Sequence, residues 1–292
     1  MVLTYCRHCI IASTDQKQND PEKSPQHKVD MQETFANSQL HEACRKGDLD
    51  RVRHILSQGL VDINSRDKKH GRTALMVAAQ TGHCRVSDFH ISKGATISDL
   101  DKACKNVLHW ACKGGHVGMV KRVLPQYRYG KRGRCPTLLQ AAMRGHRDVF
   151  EFLVCTGRSV SEVDGVGSNV LHYACRGGQL AMVKYLVSQG SVDINSSNRD
   201  RITALMMAAL RGKTDVIKFL ISMGANVSHV DIMGNNVLTL AIIKTHLAVV
   251  KYLVSQSSVD INGVRRSGRT PLMTAVSSGD KDVFDFLVKK GS

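Results

Sequence analysis

Three residue types recur in this sequence in ways that could do chemistry. Cysteines stand at Cys44, Cys112 and Cys175, and histidines at His41, His109 and His172. An ionised thiol is a nucleophile and a metal ligand, and an imidazole is a base and a metal ligand. Near the N-terminus, Cys6-Arg7-His8-Cys9 forms a lone CxxC. A structural zinc site needs four ligands, and no second pair follows at metal-ligand spacing, so these read as two incidental thiols. Carboxylates recur at Asp148, Asp215 and Asp282, each at the start of an apolar helical segment. There they favour the helix dipole, which is a stabilising role and not acid–base work. The chain offers no G-x-S-x-G, GxGxxG, GxxxxGK[ST] or HExxH. Nothing converges on an active site, so the sequence points away from an enzyme and implies neither cofactor nor metal.

Basic residues are the informative remainder. Lys and Arg number 41 against 25 Asp and Glu, a formal net charge of +16. From Lys121 to Arg147 there are eight Lys or Arg residues and no acidic one. Such a balance speaks to partners rather than to fold, and would attract acidic protein segments, nucleic acid or lipid headgroups.

The elements that must position these residues follow from composition and repetition. The chain has 292 residues, 42% hydrophobic but only 5% aromatic, so its core must use Leu, Val, Ile, Ala and Met, as thin helical layers do. Nine cysteines, an odd number mostly within helical segments, argue for reduced thiols in the cytosol or nucleus. The start, MVLTYCRHCIIAS, has no signal-peptide run, and nothing downstream could span a bilayer, so a cytoplasmic chain, with the nucleus as a second location, is expected.

Self-similarity decides the architecture. The segment NVLHYACRGGQLAMVKYLVSQGSVDIN from Asn169 returns as NVLHWACKGGHVGMVKRVL from Asn106 and as NVLTLAIIKTHLAVVKYLVSQSSVDIN from Asn236. Between these lie TALMVAAQTGH from Thr73, TALMMAALRGK from Thr203 and TPLMTAVSSGD from Thr270. Two unit types therefore alternate with a period of about 33 residues. In each unit a Thr, Asn or Ser opens a short helix as N-cap. Apolar residues follow at helical spacing, such as Leu171, Ala174 and Cys175, and a Gly such as Gly178 or Gly212 ends the helix. A second helix carries apolar positions such as Val183, Leu186 and Val187, and a polar stretch leads to the next cap. Neither helix is long enough to stand alone, so stacking on neighbours must stabilise both.

These residues resemble the ankyrin repeat, with its Thr-Pro-Leu-His cap, Ala-Ala pair, Gly-His turn and closing Gly-Ala-Asp-Val-Asn. The resemblance is carried by Thr270-Pro271-Leu272, Leu108-His109, Leu171-His172, Gly82-His83, Gly115-His116, Gly145-His146, Gly94-Ala95 and Gly224-Ala225. Elsewhere Ala or Val replaces the Pro, which a first helical position tolerates. The resemblance implies an all-α ankyrin-repeat solenoid of eight units. Their expected bounds are 37–67, 68–101, 102–130, 131–164, 165–198, 199–231, 232–263 and 264–292, after an unstructured tail over 1–36 whose polar composition cannot bury enough apolar surface to order itself. It also implies that Cys44, Cys112 and Cys175 fill the small packed position between helices, and that His41, His109 and His172 tie neighbouring turns by hydrogen bonds. Histidines spread along a stack cannot meet at one metal.

Two departures from the family pattern stand out. The linker between units three and four is about four residues short, and Pro125 falls where the matching helix carries Ser188, so that helix should end early. The hairpin around Gly130 to Arg134 is accordingly expected to be abnormal. The last unit stops at Lys289-Lys290-Gly291-Ser292 without a distinct polar capping helix.

Ankyrin repeats usually grip partners with the hairpin tips and the exposed side of the first helix. Carried over residue by residue, that implies Lys68, Lys69 and Arg72 in unit two and Lys102, Lys105 and Lys113 in unit three. It adds Lys131, Arg132, Arg134 and Arg144 in unit four, Arg176 in unit five, and Arg199, Arg201 and Arg211 in unit six. Arg265, Arg266 and Arg269 complete the set in unit eight. Ordinary solvated surface is the bland alternative. The expected function is a monomeric, non-enzymatic protein-interaction scaffold or adaptor presenting a basic concave groove to an acidic partner. Two other functions are compatible with the residues. One is an adaptor fragment of a larger signalling or enzyme-regulatory protein. The other is nucleic-acid binding, suggested by Tyr127, Arg128 and Tyr129 followed by Lys131-Arg132-Gly133-Arg134.

Overall fold

The computed structural model describes residues 25–126, 137–264 and 268–291. Among these, the chain forms sixteen α-helices and no strand, only two isolated bridges, Arg66 to Thr73 and Ser197 to Thr203. The helices come in eight antiparallel pairs. The first members are α1 (Pro25–Lys46), α3 (Ala74–Thr81), α5 (Val107–Gly114), α7 (Thr137–Arg144), α9 (Val170–Gly177), α11 (Ala204–Leu210), α13 (Val237–Ile243) and α15 (Pro271–Ser278). Their partners are α2 (Leu49–Ser57), α4 (Cys84–Ser92), α6 (Val117–Val123), α8 (Arg147–Cys155), α10 (Leu180–Ser188), α12 (Thr214–Ser222), α14 (Leu247–Val254) and α16 (Lys281–Lys289). First helices pack on first helices and second on second, giving an inner and an outer row.

Six of the inner helices, α3, α5, α9, α11, α13 and α15, start at the Thr or Asn that the sequence places as a cap. Thr73 accepts from the Met76 amide, Asn169 from His172, Thr203 from Met206 and Thr270 from Met273, at 3.1 to 3.4 Å. Each such bond satisfies an amide that the first turn leaves open. The helices end abruptly at left-handed residues, of which Gly178 (φ 73°) is typical. Leu75, Leu108, Leu138, Leu171, Leu205 and Leu238 form one fully buried row through the stack, each contributing about 2 kcal/mol of apolar burial.

The outer row carries a second regularity. Lys121 lies over the Phe152 ring, Lys184 over Phe219, Lys218 over Tyr252 and Lys251 over Phe286, at 5.4 to 5.9 Å. Unit four has Glu151 at that lysine position, and there Arg147 pairs with Glu151 at 2.8 Å and covers Tyr185 at 4.2 Å. These cation–π contacts bridge successive units, so these four lysines of the outer row are occupied in the stack itself.

Two expectations about the chain's course meet the structure directly. Helix α6 stops at Val123 and becomes a single 3-10 turn over Leu124–Gln126, as Pro125 requires, whereas α10 continues to Ser188. The hairpin expected to be abnormal, residues 130–134, lies outside the described residues. The tail expected to be unstructured up to residue 36 is helical from Pro25 onward. Val29, Met31 and Phe35 are more than half exposed there. That segment continues α1 because Gln, Lys, Met and Glu are good helix formers and the folded half of the helix spares it nucleation.

Candidate protein-binding face

The turns between units line one edge of the stack, and backbone hydrogen bonds stitch them together. The Lys102 amide donates to the His70 carbonyl, Arg199 to Val166 and Ile232 to Asp200, at 2.9 to 3.1 Å. Five of the described turns are built around an acid or amide, namely Asp67, Asp101, Asp164, Asn198 and Asp231. Asp101 accepts from the Ala103 and Lys105 amides at 2.8 Å, and Asp231 from Met233 and Asn235 at 2.9 and 2.8 Å. Lys68 and Lys69 project into solvent at a turn tip. Lys102 and Arg199 are used differently. The Lys102 ammonium donates to the Lys68 carbonyl at 2.6 Å, and the Arg199 guanidinium to the Gly165 carbonyl at 2.9 Å, so both clasp the preceding turn. Arg201 is exposed at φ 57°, where the equivalent turns carry Gly71, Gly167, Gly234 and Gly268. Arg269 is exposed and donates to the Ser277 hydroxyl at 3.4 Å. Lys131, Arg132, Arg134, Arg265 and Arg266, with Tyr127, Arg128 and Tyr129, lie outside the described residues.

Inside this edge, the exposed side of the inner row gathers the other cations around one ring. Arg72, Lys105 and Lys113 sit 5.1, 5.6 and 4.1 Å from the centre of Trp110, whose Nε1 donates to Asp101 at 3.1 Å. Arg72 is also paired with Asp67 at 3.0 Å. Burial first, then the charges of Arg144, Lys105 and Arg72, push the Lys113 ammonium below its ordinary value, against a smaller opposing pull from Asp101. More positive charge therefore faces Lys113 than negative.

Further along, Arg144, Arg176, Arg211 and Lys213 line an open pocket of about 300 Å³ together with Met143, Gly177 and Gln179. No carboxylate lines it, and among the described residues none of the four cations has an ion pair. Their convergence follows from register. Arg144 and Arg211 stand immediately before the turn glycines Gly145 and Gly212, while Arg176 stands one residue earlier because Gly177 takes that place. A Cβ on Gly177 would lie 1.9 Å from the Met143 carbonyl oxygen, so only glycine lets α9 approach α7 this closely.

Comparison with known proteins gives the same architecture. The family profile for ankyrin repeats in groups of three copies matches residues 17–101, 40–132, 86–164, 138–231 and 224–292. The chain belongs to the ankyrin-repeat family. Among similar proteins is Palmitoyltransferase AKR1 of Lachancea kluyveri, 24% identical over 254 residues, covering 84% of this chain and 30% of that protein. The B-cell lymphoma 3 protein homolog of Mus musculus is 26% identical over 209 residues, covering 68% of this chain and 46% of its own length. Putative ankyrin repeat protein YahD of Escherichia coli is 29% identical over 196 residues, covering 63% of this chain and 94% of that protein. The chain thus spans less than half of AKR1 and the lymphoma homolog, and nearly all of YahD. Ankyrin repeats indicate a protein–protein interaction module.

Within this ankyrin stack the recurring cysteines and histidines have structural work. Cys44, Cys112 and Cys175 are fully buried, and burial pushes the Cys44 and Cys112 thiols up to about 12 and raises Cys175 as well. Cys44 lies 3.6 Å from His90 Nε2, but burial holds the imidazole below its ordinary value, so both partners are neutral and no thiolate forms. His41 bonds the Asn37 and Arg72 carbonyls, each at 2.9 Å. His172 meets Asn169 Oδ1 at 2.7 Å and the Ile202 carbonyl at 2.9 Å, tying its own cap to the next turn. A second histidine row starts the outer helices, with His83 and His146 bonding the Arg45 and Lys113 carbonyls at 2.9 and 3.0 Å.

The structure thus divides those expected residues that it describes into four sets. Arg72, Lys105 and Lys113 cluster on Trp110, and Arg144, Arg176 and Arg211 cluster in the pocket. Lys102 and Arg199 are turn clasps, while Lys68, Lys69, Arg201 and Arg269 stay separate along the edge. Sequence reasoning passed over Trp110, Tyr173 and Lys213. Trp110 and Tyr173 occupy the residue after the cap histidine in their units, and an aromatic there was the available signal. Also passed over are the exposed Ile232, Met233 and Val264 on the turns of units seven and eight, which add apolar surface to the edge.

Proposed function

We propose that this chain is a non-enzymatic scaffold whose concave, basic face holds an acidic segment of a partner protein. The carrying observation is the acid-free convergence of Arg144, Arg176, Arg211 and Lys213 from three successive repeats, continued by Lys113, Lys105 and Arg72 on Trp110. Guanidinium groups held unpaired at a surface favour bidentate contact with carboxylates. The apolar turns at Ile232, Met233 and Val264 supply a flank against which a segment's non-polar side chains can bury area. The chain acts in this reading as a monomer in the cytoplasm, a compartment that keeps thiols such as the exposed Cys155 reduced.

Selection of short random peptides on the immobilised chain tests the reading. Asp- and Glu-rich peptides should be enriched, and their affinity should fall steeply as salt rises, because exposed charges are screened. Enrichment of neutral or basic peptides, or affinity indifferent to salt, would overturn it.

A further inference from the structure

The four-cation pocket is chemically unlike the rest of the face. Elsewhere the cations are either partly spent, Arg72 on Asp67, Lys102 and Arg199 on carbonyls and Lys113 on the Trp110 ring, or isolated along the edge, as are Lys68, Lys69 and Arg201. Arg144, Arg176, Arg211 and Lys213 have no carboxylate within the pocket they line. A plain structural role is available for three of them, since they stand at the C-terminal ends of α7, α9 and α11, where a cation complements the helix dipole. Magnitude argues against that role as the full explanation. Each helix end carries about half a negative charge, so three ends supply about −1.5 against four unit cations, leaving more than two positive charges uncompensated.

We infer that this pocket takes a phosphorylated side chain, phosphoserine or phosphothreonine, within the partner's acidic segment; the inference rests on the scaffold reading above and narrows it. A carboxylate offers one charge and two oxygens, enough for one guanidinium fork. A phosphate monoester offers about two charges and three acceptor oxygens, which matches both the uncompensated charge and a set of donors arriving from three repeats. The pocket is open and lies at the turns that join α7 to α8, α9 to α10 and α11 to α12, so a phosphate on an extended segment crossing those turns reaches it without rearrangement of the stack. Gly177 is the enabling residue: the close approach of α9 to α7 that it allows brings Arg144 and Arg176 to one site.

Binding of a short Asp/Glu-rich peptide with one central phosphoserine, compared with the same peptide carrying serine, tests this by calorimetry. The wild-type chain should prefer the phosphopeptide by about tenfold or more, the worth of one or two added charge-assisted hydrogen bonds. The preference should collapse in Arg176→Gln/Arg211→Gln and persist in the charge-matched Lys289→Gln/Lys290→Gln, whose exposed cations lie at the end of α16, away from the pocket and the Trp110 cluster. Circular dichroism checks that both variants stay folded, as exposed or half-buried polar substitutions should. Equal binding of both peptides to the wild-type chain overturns the phosphate pocket while leaving the acidic groove intact, and binding of neither removes both. An equal loss in the two variants also overturns it, by showing diffuse charge attraction only. A short single-stranded oligonucleotide binding more tightly than the phosphopeptide would make nucleic acid the occupant and overturn it too.

Discussion

Replacing Gly177 by alanine sets two physical effects against each other, and the structure decides the sign. Gly177 is the last residue of α9 and has a helical backbone, so intrinsic propensity alone favours alanine by up to about 1 kcal/mol. Yet the added Cβ would stand 1.9 Å from the Met143 carbonyl oxygen and 2.9 Å from its carbon, both backbone atoms of the preceding repeat. Relief needs α7 and α9 to part by roughly 1.5 Å, which loosens van der Waals contact along the whole interface. Overpacking of this kind costs about 1–3 kcal/mol even where side chains can give way, and a helix carbonyl gives way less. The net expectation is destabilisation by about 2 kcal/mol, concentrated at one repeat interface. Gly118 supplies the control. It lies in the first turn of α6 with its nearest neighbour, Cys84 Sγ, 3.8 Å from a built Cβ. Gly118→Ala should therefore raise stability by about 0.5 kcal/mol. Urea unfolding followed by circular dichroism should move the two midpoints in opposite directions. A Gly177→Ala chain as stable as the wild type would refute the claim that glycine sets the α7–α9 spacing.

Other expectations follow from the same geometry. Arg201→Gly should stabilise the chain by about 1 kcal/mol in the same unfolding experiment, because a left-handed backbone strains a side-chain-bearing residue; a loss would show that its side chain holds the turn. His90 and His172 are both held below their ordinary value, chiefly by burial. The unfolded chain thus protonates first as pH falls, so stability should be intact above about pH 6.5 and decline below it; a flat midpoint from neutral pH to pH 5 would contradict this. A maleimide probe at mild pH should label exposed Cys155 in the native chain. Cys44, Cys112 and Cys175 should label only after denaturant is added, as mass spectrometry of the peptides would report.

Much of this was legible from residue order. The alternation of Asn106, Asn169 and Asn236 with Thr73, Thr203 and Thr270 located the caps, and Pro125 located the shortened helix. Local signals of this kind survive in one dimension because a cap or a breaker acts within a single turn. The division of the basic residues was not legible. Lys102 and Arg176 look alike in sequence, yet one clasps a neighbouring turn about one repeat away and the other faces an open pocket. That difference depends on the distance between repeats, which sequence spacing does not report. The start of α1 was missed for another reason. Composition measured how little apolar surface residues 25–36 could bury, whereas an attached helix needs only good helix formers to propagate.

Trp110 is the single tryptophan of the chain and lies nearly buried among Arg72, Lys105 and Lys113, on the face proposed to bind. Its fluorescence, followed while an acidic peptide from the selection is titrated in, reports directly on whether the partner lies there. A saturable change that weakens with salt and is lost in Arg144→Glu/Arg176→Glu/Arg211→Glu is expected. Tight binding that leaves the Trp110 signal unmoved, or that survives the charge reversal, would place the partner elsewhere and contradict the basic concave face as the binding surface.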